Sequence, residues 1–367
     1  MKVVICWSHI SGYMAACWRA MVEQGPAAGC ELFVMARASG GVTANTSFKS
    51  GIMAGIPHTL FHSDDALDVN EVRRVIRDQK PDIVVINGWH TPAYRAIPDM
   101  PEASRAKVIM AMDTPYLGTF RQRWGRFAMK GYFSKIDRVF VTGERCWQLA
   151  KVLGFPERII RRGVYGVDYA GLRGLQERRA ALPGGWPKRF ISTGRYVPEK
   201  GIDVLTEGYR LYRSGVSDPW PLVCCGQGPL RDQLLSVEGI EDRGFVQPAD
   251  LPEVLLHHGA FVLASRFDPW PLVIVEACAA GLPVVCSEAC GTRVELLRYC
   301  FNGRTFATGE PESLAQSLTW VHRNWEHLPE MGRGSRELAA AYSAEMWVRR
   351  WLTTFQELMV EGGGRAA

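Results

Sequence analysis

Apolar residues along this chain form short runs that alternate with longer amphipathic stretches. Seven such runs fall in the first half, at residues 2–8, 31–36, 59–62, 82–86, 108–112, 138–142 and 159–165. Their length and continuous apolar character are typical of strands that are buried on both faces. Helical patterns at 12–24, 69–79 and 144–154 lie between several of them. The alternation predicts a parallel sheet with helices on both faces.

A second series of the same kind begins at residue 189. Its strand-like runs are 189–193, 221–225, 243–246, 259–264 and 283–287. The Gly- and Pro-rich segment 171–188 between the two series indicates a linker. A chain of 367 residues suits two domains. We therefore predict an α/β fold with two Rossmann-like parallel-sheet domains, 1–170 and 189–344, that face an interdomain cleft, and a C-terminal helix over 345–360.

The segment 265–281 follows one of the second-half runs and combines two carboxylates with a helix start. Pro271 suits the first helical position, because the N–H that it lacks would be unpaired there. Asp268 is then expected in a strand-end loop, and Glu276 about a turn and a half into the helix. The helix N-terminus favours a phosphate, and the carboxylates can accept hydrogen bonds from sugar and ribose hydroxyls. The alternative is that Glu276 pairs with a core arginine and Asp268 caps the helix.

Other strand-end loops hold groups that suit an anionic ligand, which binds at the carboxyl ends of the strands in such sheets. Arg195 and Lys200 bracket a turn, and a guanidinium with an ammonium suits a diphosphate without a metal. Two solvated loop charges are the alternative. Gly12 and Gly226 permit a close approach of backbone. His90 is titratable and follows a strand, although a surface or helix-capping histidine is also consistent with the sequence.

The segment 118–138 interleaves six Lys and Arg residues with Phe, Trp and Tyr. A basic, aromatic and helical segment suits an anionic membrane surface or a polyanionic acceptor. The alternative is a helix that packs on the core and keeps a solvated basic face. No recognised nucleic-acid motif accompanies these charges, so specific nucleic-acid binding is not expected. Just before the segment, Asp113 follows a strand, where an N-cap is the favoured interpretation.

Composition narrows the class of protein. A hydrophobic content of 47% and a charged content of 22% are typical of globular proteins. No apolar run approaches the roughly 18 residues of a membrane span, and residues 1–8 predict a strand rather than a secretory signal. We therefore expect a cytoplasmic protein, with peripheral contact at the inner membrane face through 118–138. The ten cysteines include no C-x-x-C pair and are expected to be reduced core residues.

The net charge of +5 is unevenly distributed. Residues 1–180 hold 25 Lys and Arg against 16 Asp and Glu, whereas the remainder holds 18 against 22. The basic first half suggests an anionic partner for that part of the chain.

The ordered set of motifs resembles glycosyltransferase family 4, whose members are retaining, nucleotide-sugar-dependent enzymes of the GT-B fold. The resemblance rests on Gly194-Arg195, Lys200-Gly201-Ile202, Gly226-Gln227-Gly228-Pro229-Leu230, Gly244-Phe245-Val246, the E-x7-E spacing of Asp268 and Glu276, Thr292 to Glu295, Asn302-Gly303, Trp89-His90-Thr91 and Gly166-Val167-Asp168. It is strongest from 191 to 302 and looser over the rest of the chain.

This resemblance implies transfer of a hexosyl-type sugar from a nucleotide-diphosphate sugar to a hydroxyl of a glycan, glycolipid or small molecule, in polysaccharide or glycoconjugate biosynthesis. The implied roles place His90 and Asp268 at the reacting sugar, Arg195 and Lys200 on the diphosphate, and Glu276 on the ribose. Further donor-side positions are Gly12, Gly226, Val246, Leu272 and Val273. Acceptor-side positions are Asp113, Tyr116 and Arg121. No metal or other cofactor is expected, and the C-terminal helix would pack back on the first domain.

Three residues depart from the family pattern. Asp268 replaces the usual Glu, so its carboxylate reaches one methylene less far, and Pro271 stands where Gly is common. Tyr165 replaces the Asn that precedes Gly-Val-Asp. Two alternatives therefore stay open: a nucleotide-sugar epimerase on the same fold, and a non-catalytic relative that binds a sugar nucleotide or glycan.

Overall fold

A computed structural model describes residues 1–38, 50–62 and 67–363. The chain divides into two units, one formed by Met1–Val167 with Ala344–Ala367 and the other by Asp168–Ser343. Each unit is built on a parallel sheet, with helices between most of its successive strands. The predicted α/β class with two parallel sheets is confirmed.

Within the described residues, the first unit has a seven-stranded parallel sheet of order β3-β2-β1-β4-β5-β6-β7. Its strands are β1 (Lys2–His9), β2 (Glu31–Arg37), β3 (His58–Phe61), β4 (Ile83–Asn87), β5 (Lys107–Met112), β6 (Arg138–Val141) and β7 (Ile160–Arg162). The register places Val4 of β1 between Phe33 of β2 and Val84 of β4. Because β1 is central and both sheet faces are covered, its middle residues are almost fully buried and apolar.

Most connections in the described part of the first unit contain α-helices. They comprise α1 (Gly12–Gln24), α2 (Val69–Gln79), α3 (Pro92–Arg95), α4 (Phe120–Ala128), α5 (Lys130–Phe133) and α6 (Glu144–Val152). The predicted bounds of α1 and α2 are those observed. α6 ends two residues earlier than predicted, because Gly154 has a φ of +96° and the N–H of Phe155 donates to the carbonyl of Ala150, which closes the helix.

The second unit has, among its described residues, a six-stranded parallel sheet of order β10-β9-β8-β11-β12-β13. Its strands are β8 (Phe190–Thr193), β9 (Leu222–Cys225), β10 (Ile240–Asp242), β11 (Ala260–Leu263), β12 (Val284–Ser287) and β13 (Gly303–Phe306). Its helices are α7 (Tyr169–Leu172), α8 (Leu175–Ala180), α9 (Ile202–Ser214), α10 (Arg231–Leu235), α11 (Leu251–Leu256), α12 (Leu272–Ala279), α13 (Arg293–Leu296), α14 (Pro311–Arg323) and α15 (Leu328–Ala339).

Several predicted elements differ from those observed. The strand predicted at 243–246 is wrong, because the ladder ends at Asp242 and Gly244 follows with a φ of +71° in an irregular loop. The strand predicted at 159–165 is shorter, since Gly163 has a φ of +98° directly after β7. The segment predicted as a linker, 171–188, belongs to the second unit and contains half of α7 and all of α8.

Arg179 of α8 shows how firmly that segment is built into the second unit. The side chain is fully buried and donates to the carbonyls of Ala280 at 2.9 Å, Gly281 at 3.1 Å and Leu255 at 2.8 Å. Burial lowers the pKa of Arg179 to about 9, so the group stays a cation at neutral pH. It thereby joins the C-terminal ends of α11 and α12, where carbonyls have no partner within the helix.

The last helix, α16 (Ala344–Gly363), belongs to the first unit. The indole N–H of Trp347 donates to the carbonyl of Val164 at 2.7 Å, and that of Trp351 to the carbonyl of Gly163 at 3.2 Å. Trp351 also stacks on Phe140 of β6, with the ring centroids 3.8 Å apart. A strand of the sheet is thus covered by a helix from the far end of the described chain.

All ten cysteines are described residues with free thiols, and nine of them are buried. The prediction that they are reduced core residues is confirmed, with Cys300 as the exposed exception.

Candidate functional site

The order of the strands in the second sheet reverses between β8 and β11. These two strands are neighbours in the sheet, although β9 and β10 separate them in sequence. At such a switch point the loops after the two strands diverge and leave a crevice where ligands bind. Lys200 lies in the loop after β8, and Asp268 lies in the loop after β11. Their side chains form an ion pair across the switch point, with Nζ 2.5 Å from Oδ2. Their exposed fractions of 19% and 10% place this pair in a partly desolvated environment.

The turn after Lys200 has the backbone shape that this pairing needs. Gly201 has a φ of +64°, and a Cβ there would lie 2.1 Å from the carbonyl oxygen of Ala264 at the end of β11. Only glycine permits this approach. The N–H of Arg266 donates to the carbonyl of Glu199 at 2.8 Å, which ties the two loops together. The Lys200 turn is therefore fixed directly against the loop that carries Asp268.

Arg195 lies in another turn of the loop after β8, and this turn packs against the end of β9. A Cβ on Gly226, at the end of β9, would lie 1.8 Å from the carbonyl oxygen of Gly194, so the two backbones touch. The hydroxyl of the next residue, Tyr196, donates to Asp242 at 2.7 Å. Arg195 itself is half-buried, and no described residue forms a hydrogen bond or an ion pair with its guanidinium. The positive charge is available to an anion without first breaking an existing contact.

The loop after β10 adjoins these turns. The N–H of Gly226 donates to the carbonyl of Gly244 at 2.9 Å, and Asp242 accepts from the N–H of Gly244 at the same distance. Val246 is half-buried in this loop. The donor-side positions Gly226 and Val246 therefore lie on loops at the same edge of the sheet, although Val246 does not lie on the strand that the sequence predicted.

Helix α12 contributes its N-terminus and a carboxylate. Pro271 is the N-cap rather than the first helical residue, and its side chain makes no capping bond. The first N–H groups, of Leu272 and Val273, have no acceptor within the helix and mark its positive end. Glu276 lies in the second turn, and burial together with the charge of Asp168 raises its pKa to about 7.

The structure contradicts the alternative roles considered for the two carboxylates. Among the described residues no arginine or other group forms a hydrogen bond with the Glu276 carboxylate, although the residue is only partly exposed. Asp268 pairs with Lys200, and the cap of α12 is Pro271. Glu276 is thus an acceptor without a partner in the described part of the chain.

Replacing Glu276 with glutamine tests this placement. A folded-state pKa of about 7, above the ordinary 4.5, means that the carboxylate destabilises the fold as pH rises through that interval. This difference in pKa corresponds to a destabilisation of the fold by about 3 kcal/mol for a fully shielded group and about 2 kcal/mol for a half-buried one. We expect Glu276→Gln to unfold at higher urea concentration than wild type at pH 8, by about that free energy, with little difference at pH 5.

The matched control is Glu337→Gln, which removes an exposed carboxylate from α15 of the same unit. Urea unfolding followed by circular dichroism at several pH values gives both comparisons. Equal effects of the two substitutions at every pH would contradict the buried setting of Glu276.

Three buried polar groups close to Asp268 in the chain were missed at the sequence level. Ser265 Oγ, Trp270 Nε1 and Thr292 Oγ1 are buried and have no hydrogen-bond partner among the described residues. The N–H of Gly291 donates to the carbonyl of Asp268 at 2.8 Å, which brings the loop before Thr292 against this segment. A serine, a tryptophan or a threonine beside an apolar run carries no signal of such a role, because each is also an ordinary core residue. Only Thr292 lies in a stretch that the family resemblance covers.

In the first unit, Gly12 and His90 follow β1 and β4, the two strands at the corresponding switch point. The strand ends are joined by a 3.0 Å hydrogen bond from Asn87 Nδ2 to Ser8 Oγ. Gly12 is the first residue of α1, and the hydroxyl of its N-cap, Ser11, is buried without a described partner. His90 is exposed and lies against the ring of Trp89, with centroids 5.2 Å apart, and does not cap α3.

The three acceptor-side positions have separate surroundings. Asp113 accepts a 2.9 Å hydrogen bond from the hydroxyl of Tyr165, so its predicted role as an N-cap is wrong. Thr119 instead caps α4. Tyr116 is half-buried and Arg121 is exposed on α4. No hydrogen bond or ion pair joins any two of the three.

Within residues 1–38, 50–62 and 67–363, no three His, Cys, Asp or Glu side chains form a cluster suited to a metal ion.

Known proteins resemble both the second unit and the whole chain. Residues 176–338 match the family described as glycosyl transferases group 1. An uncharacterized glycosyltransferase of Methanocaldococcus jannaschii is 29% identical over 198 residues, which are 51% of this chain and 45% of that protein. Mannosylfructose-phosphate synthase of Agrobacterium fabrum is 27% identical over 192 residues, 48% of this chain and 41% of the enzyme. The matches thus span less than half the length of these curated relatives.

The solved structure of Anabaena HepE in complex with UDP-glucose has a TM-score of 0.74 against this chain, over 97% of this chain and 100% of that one. Its sequence identity is 17%, so this likeness concerns the fold. Together with the two parallel sheets, it confirms the predicted GT-B fold. The family match likewise confirms the predicted enzyme class, a glycosyltransferase, at the level of the second unit. Residues 176–338 thus match the group 1 glycosyltransferases in sequence, and the chain has the GT-B fold.

Proposed function

We propose that this protein is a retaining glycosyltransferase that moves a sugar from a nucleotide-diphosphate sugar to a hydroxyl acceptor. The observation that carries the proposal is the set of groups at the switch point of the second unit. Lys200 and Asp268 pair across the switch point, Arg195 lies in the loop after β8, and α12, which carries Glu276, follows the loop after β11; residues 176–338 match the group 1 glycosyltransferases. HepE was solved with UDP-glucose, which supports a nucleotide sugar as the donor class.

The diphosphate would occupy the positive side of this set. Arg195 offers an unpaired planar guanidinium, and Lys200 offers ammonium protons that Asp268 does not use. Charge grows on the diphosphate as the bond to the sugar breaks, and fixed cations in a partly desolvated site stabilise that charge. No metal is needed for this step, and we expect none.

The two carboxylates would bind hydroxyl groups. Glu276 lacks a partner, and its ionised form accepts well from the two hydroxyls of a ribose. When a phosphate draws Lys200 away, Asp268 is released to accept from a hydroxyl of the transferred sugar. Gly12 and His90 keep the roles that the family resemblance implies, contact with the phosphate and with the reacting centre, as predictions.

The acceptor is proposed as a hydroxyl of a glycan, glycolipid or small molecule in polysaccharide or glycoconjugate biosynthesis. The proposed retention of configuration at the transferred sugar, and the proposed membership of glycosyltransferase family 4, are both supported by the ordered motifs of the sequence. The leaving phosphate would assist removal of the acceptor proton.

A thermal-shift panel of UDP, GDP, ADP, TDP and their sugars tests the donor site. A ligand present at about 100 times its Kd stabilises the folded state by about 2.7 kcal/mol. We expect one nucleotide series to raise the Tm of wild type, equally in EDTA and in millimolar Mg²⁺. The same series should leave an Arg195→Ala, Lys200→Ala variant unshifted.

The matched control is Arg266→Ala, which removes a cation that pairs with Asp203 on the surface, 2.5 Å away. It should keep the full shift. If no series raises the Tm of wild type at millimolar concentration, the donor site is wrong. A shift that is kept in the double variant would show that the nucleotide binds elsewhere, and conversion of the donor without an acceptor would favour the epimerase.

A further inference from the structure

Helix α4 of the first unit exposes large apolar side chains. The exposed fractions are 87% for Phe120, 71% for Trp124 and 71% for Phe127, and Leu117 just before the helix is 57% exposed. No residue of α4 is buried. The alternative in which this helix packs on the core is therefore wrong for its aromatic face.

The exposed rings share one face of the helix. At about 100° per residue, Phe120, Trp124 and Phe127 fall within about 60° of one another. The opposite face meets the protein, since a Cβ on Gly125 would lie 3.3 Å from Leu153 and Met129 packs against the core. The three rings, here called the aromatic stripe, thus point away from the body of the unit.

Positive charge borders the aromatic stripe on both sides. Helical geometry places Arg123 on one edge and Arg121 on the other, about 60° and 100° from Phe120. The chain has no Asp or Glu between Asp113 and Asp137 but five Lys and Arg residues. Among the described residues, no acidic side chain forms an ion pair with Arg121, Arg123, Arg126 or Lys130.

We propose that α4 docks on the surface of an anionic phospholipid bilayer, with its axis in the membrane plane. The aromatic stripe would insert at the level of the headgroups, and the flanking arginines would contact lipid phosphates. An acidic protein or a soluble polyanion would match the charges but would leave three rings in water, whereas a bilayer satisfies both features. No helix in the described part of the chain is long and apolar enough to cross a bilayer, so the contact is peripheral.

This inference goes beyond the proposed function, because it concerns where the protein works rather than what it transfers. If both hold, the docked helix keeps the first unit at the bilayer surface, where a glycolipid acceptor would be within reach.

Sedimentation of the full chain with vesicles tests the inference. Wild type should sediment with phosphatidylcholine vesicles that contain phosphatidylglycerol, and much less with phosphatidylcholine alone. Because the charges act through solvent, binding should weaken between about 0.05 M and 0.5 M salt. A variant with Phe120→Ser, Trp124→Ser and Phe127→Ser should bind at least about tenfold more weakly, since its arginines remain but its apolar anchor is gone.

The control is Val360→Ser, which removes a side chain that is 77% exposed on α16 of the same unit, and which should bind like wild type. Since the aromatic stripe makes no core contact, the triple variant should keep the Tm and the nucleotide-induced shift of wild type. Its thermal shift therefore separates failure of docking from failure of the donor site.

Three outcomes would overturn the inference. Wild type that stays in the supernatant with anionic vesicles at low salt excludes the bilayer. Equal sedimentation of the triple variant assigns the binding to charge elsewhere. A dimer in sedimentation equilibrium that the triple variant abolishes identifies the aromatic stripe as an interface between copies of this chain.

Discussion

A Lys200→Met variant is expected to transfer sugar at least about 100-fold more slowly than wild type at saturating acceptor. The ammonium stands at the switch point of the second sheet and would stabilise the charge that forms on the leaving diphosphate. Methionine keeps much of the apolar stem but provides no charge. Release of nucleoside diphosphate from the donor series found by thermal shift gives the rate.

Loss of Lys200 also leaves the Asp268 carboxylate, which is only 10% exposed, without its partner. That defect alone destabilises the fold. A double variant, Lys200→Met with Asp268→Asn, removes both charges and should recover part of the lost Tm, whereas transfer stays slow because both proposed donor-site groups are gone. If the double variant recovered the rate together with the Tm, Lys200 would be a structural partner of Asp268. Arg266→Ala, whose surface pair lies in the adjacent loop, should leave the rate within about twofold.

An Arg179→Ala variant is expected to lose about 3–5 kcal/mol of unfolding free energy. The substitution leaves the carbonyls of Leu255, Ala280 and Gly281 without their buried donor, and it removes the cation that lies over the ring of Trp186. Urea unfolding followed by circular dichroism measures the loss. The neighbouring Arg178 offers a control, because its 3.5 Å pair with Glu253 is exposed.

Arg178→Ala should change the unfolding free energy by less than about 0.5 kcal/mol. Similar effects of the two substitutions would show that the carbonyls of α11 and α12 find other donors when Arg179 is absent. If Arg179→Ala is insoluble, Arg179→Lys takes its place. Lysine keeps the charge but offers fewer donors in a different geometry, so its loss of unfolding free energy should lie between those of Arg178→Ala and Arg179→Ala.

Most strands were predictable, because a short continuous apolar run is typical of a strand that is buried on both faces. β13 was missed, since Gly303-Arg304-Thr305-Phe306 carries only one large apolar side chain. The run at 243–246 failed because backbone geometry at Gly244, rather than hydrophobicity, ends the ladder. Residues 171–188 resembled a linker in composition, whereas burial of Arg179 depends on carbonyls about 75 to 100 residues further along the chain.

The candidate site was predictable residue by residue but not as a set of contacts. Strand-end positions and motif spacing pointed to Arg195, Lys200, Asp268 and Glu276. Lys200 pairs with Asp268 because β8 and β11 are neighbours in the sheet and because the turn at Gly201 is tight. No local sequence pattern indicates either feature. The bond between Tyr165 and Asp113 likewise joins residues that are 52 positions apart.

The placement of α16 has a consequence for how the chain folds as it is made. Trp347, Trp351 and Phe355 are at most 1% exposed, and α16 thereby completes a unit whose remaining residues all precede residue 168. On the ribosome, the sheet of the first unit emerges early but stays uncovered on this side until the whole of the second unit has been synthesised. The second unit is contiguous in sequence and can finish folding first. The first unit therefore lacks part of its core until α16 has been synthesised, whereas the core of the second unit does not depend on any later segment.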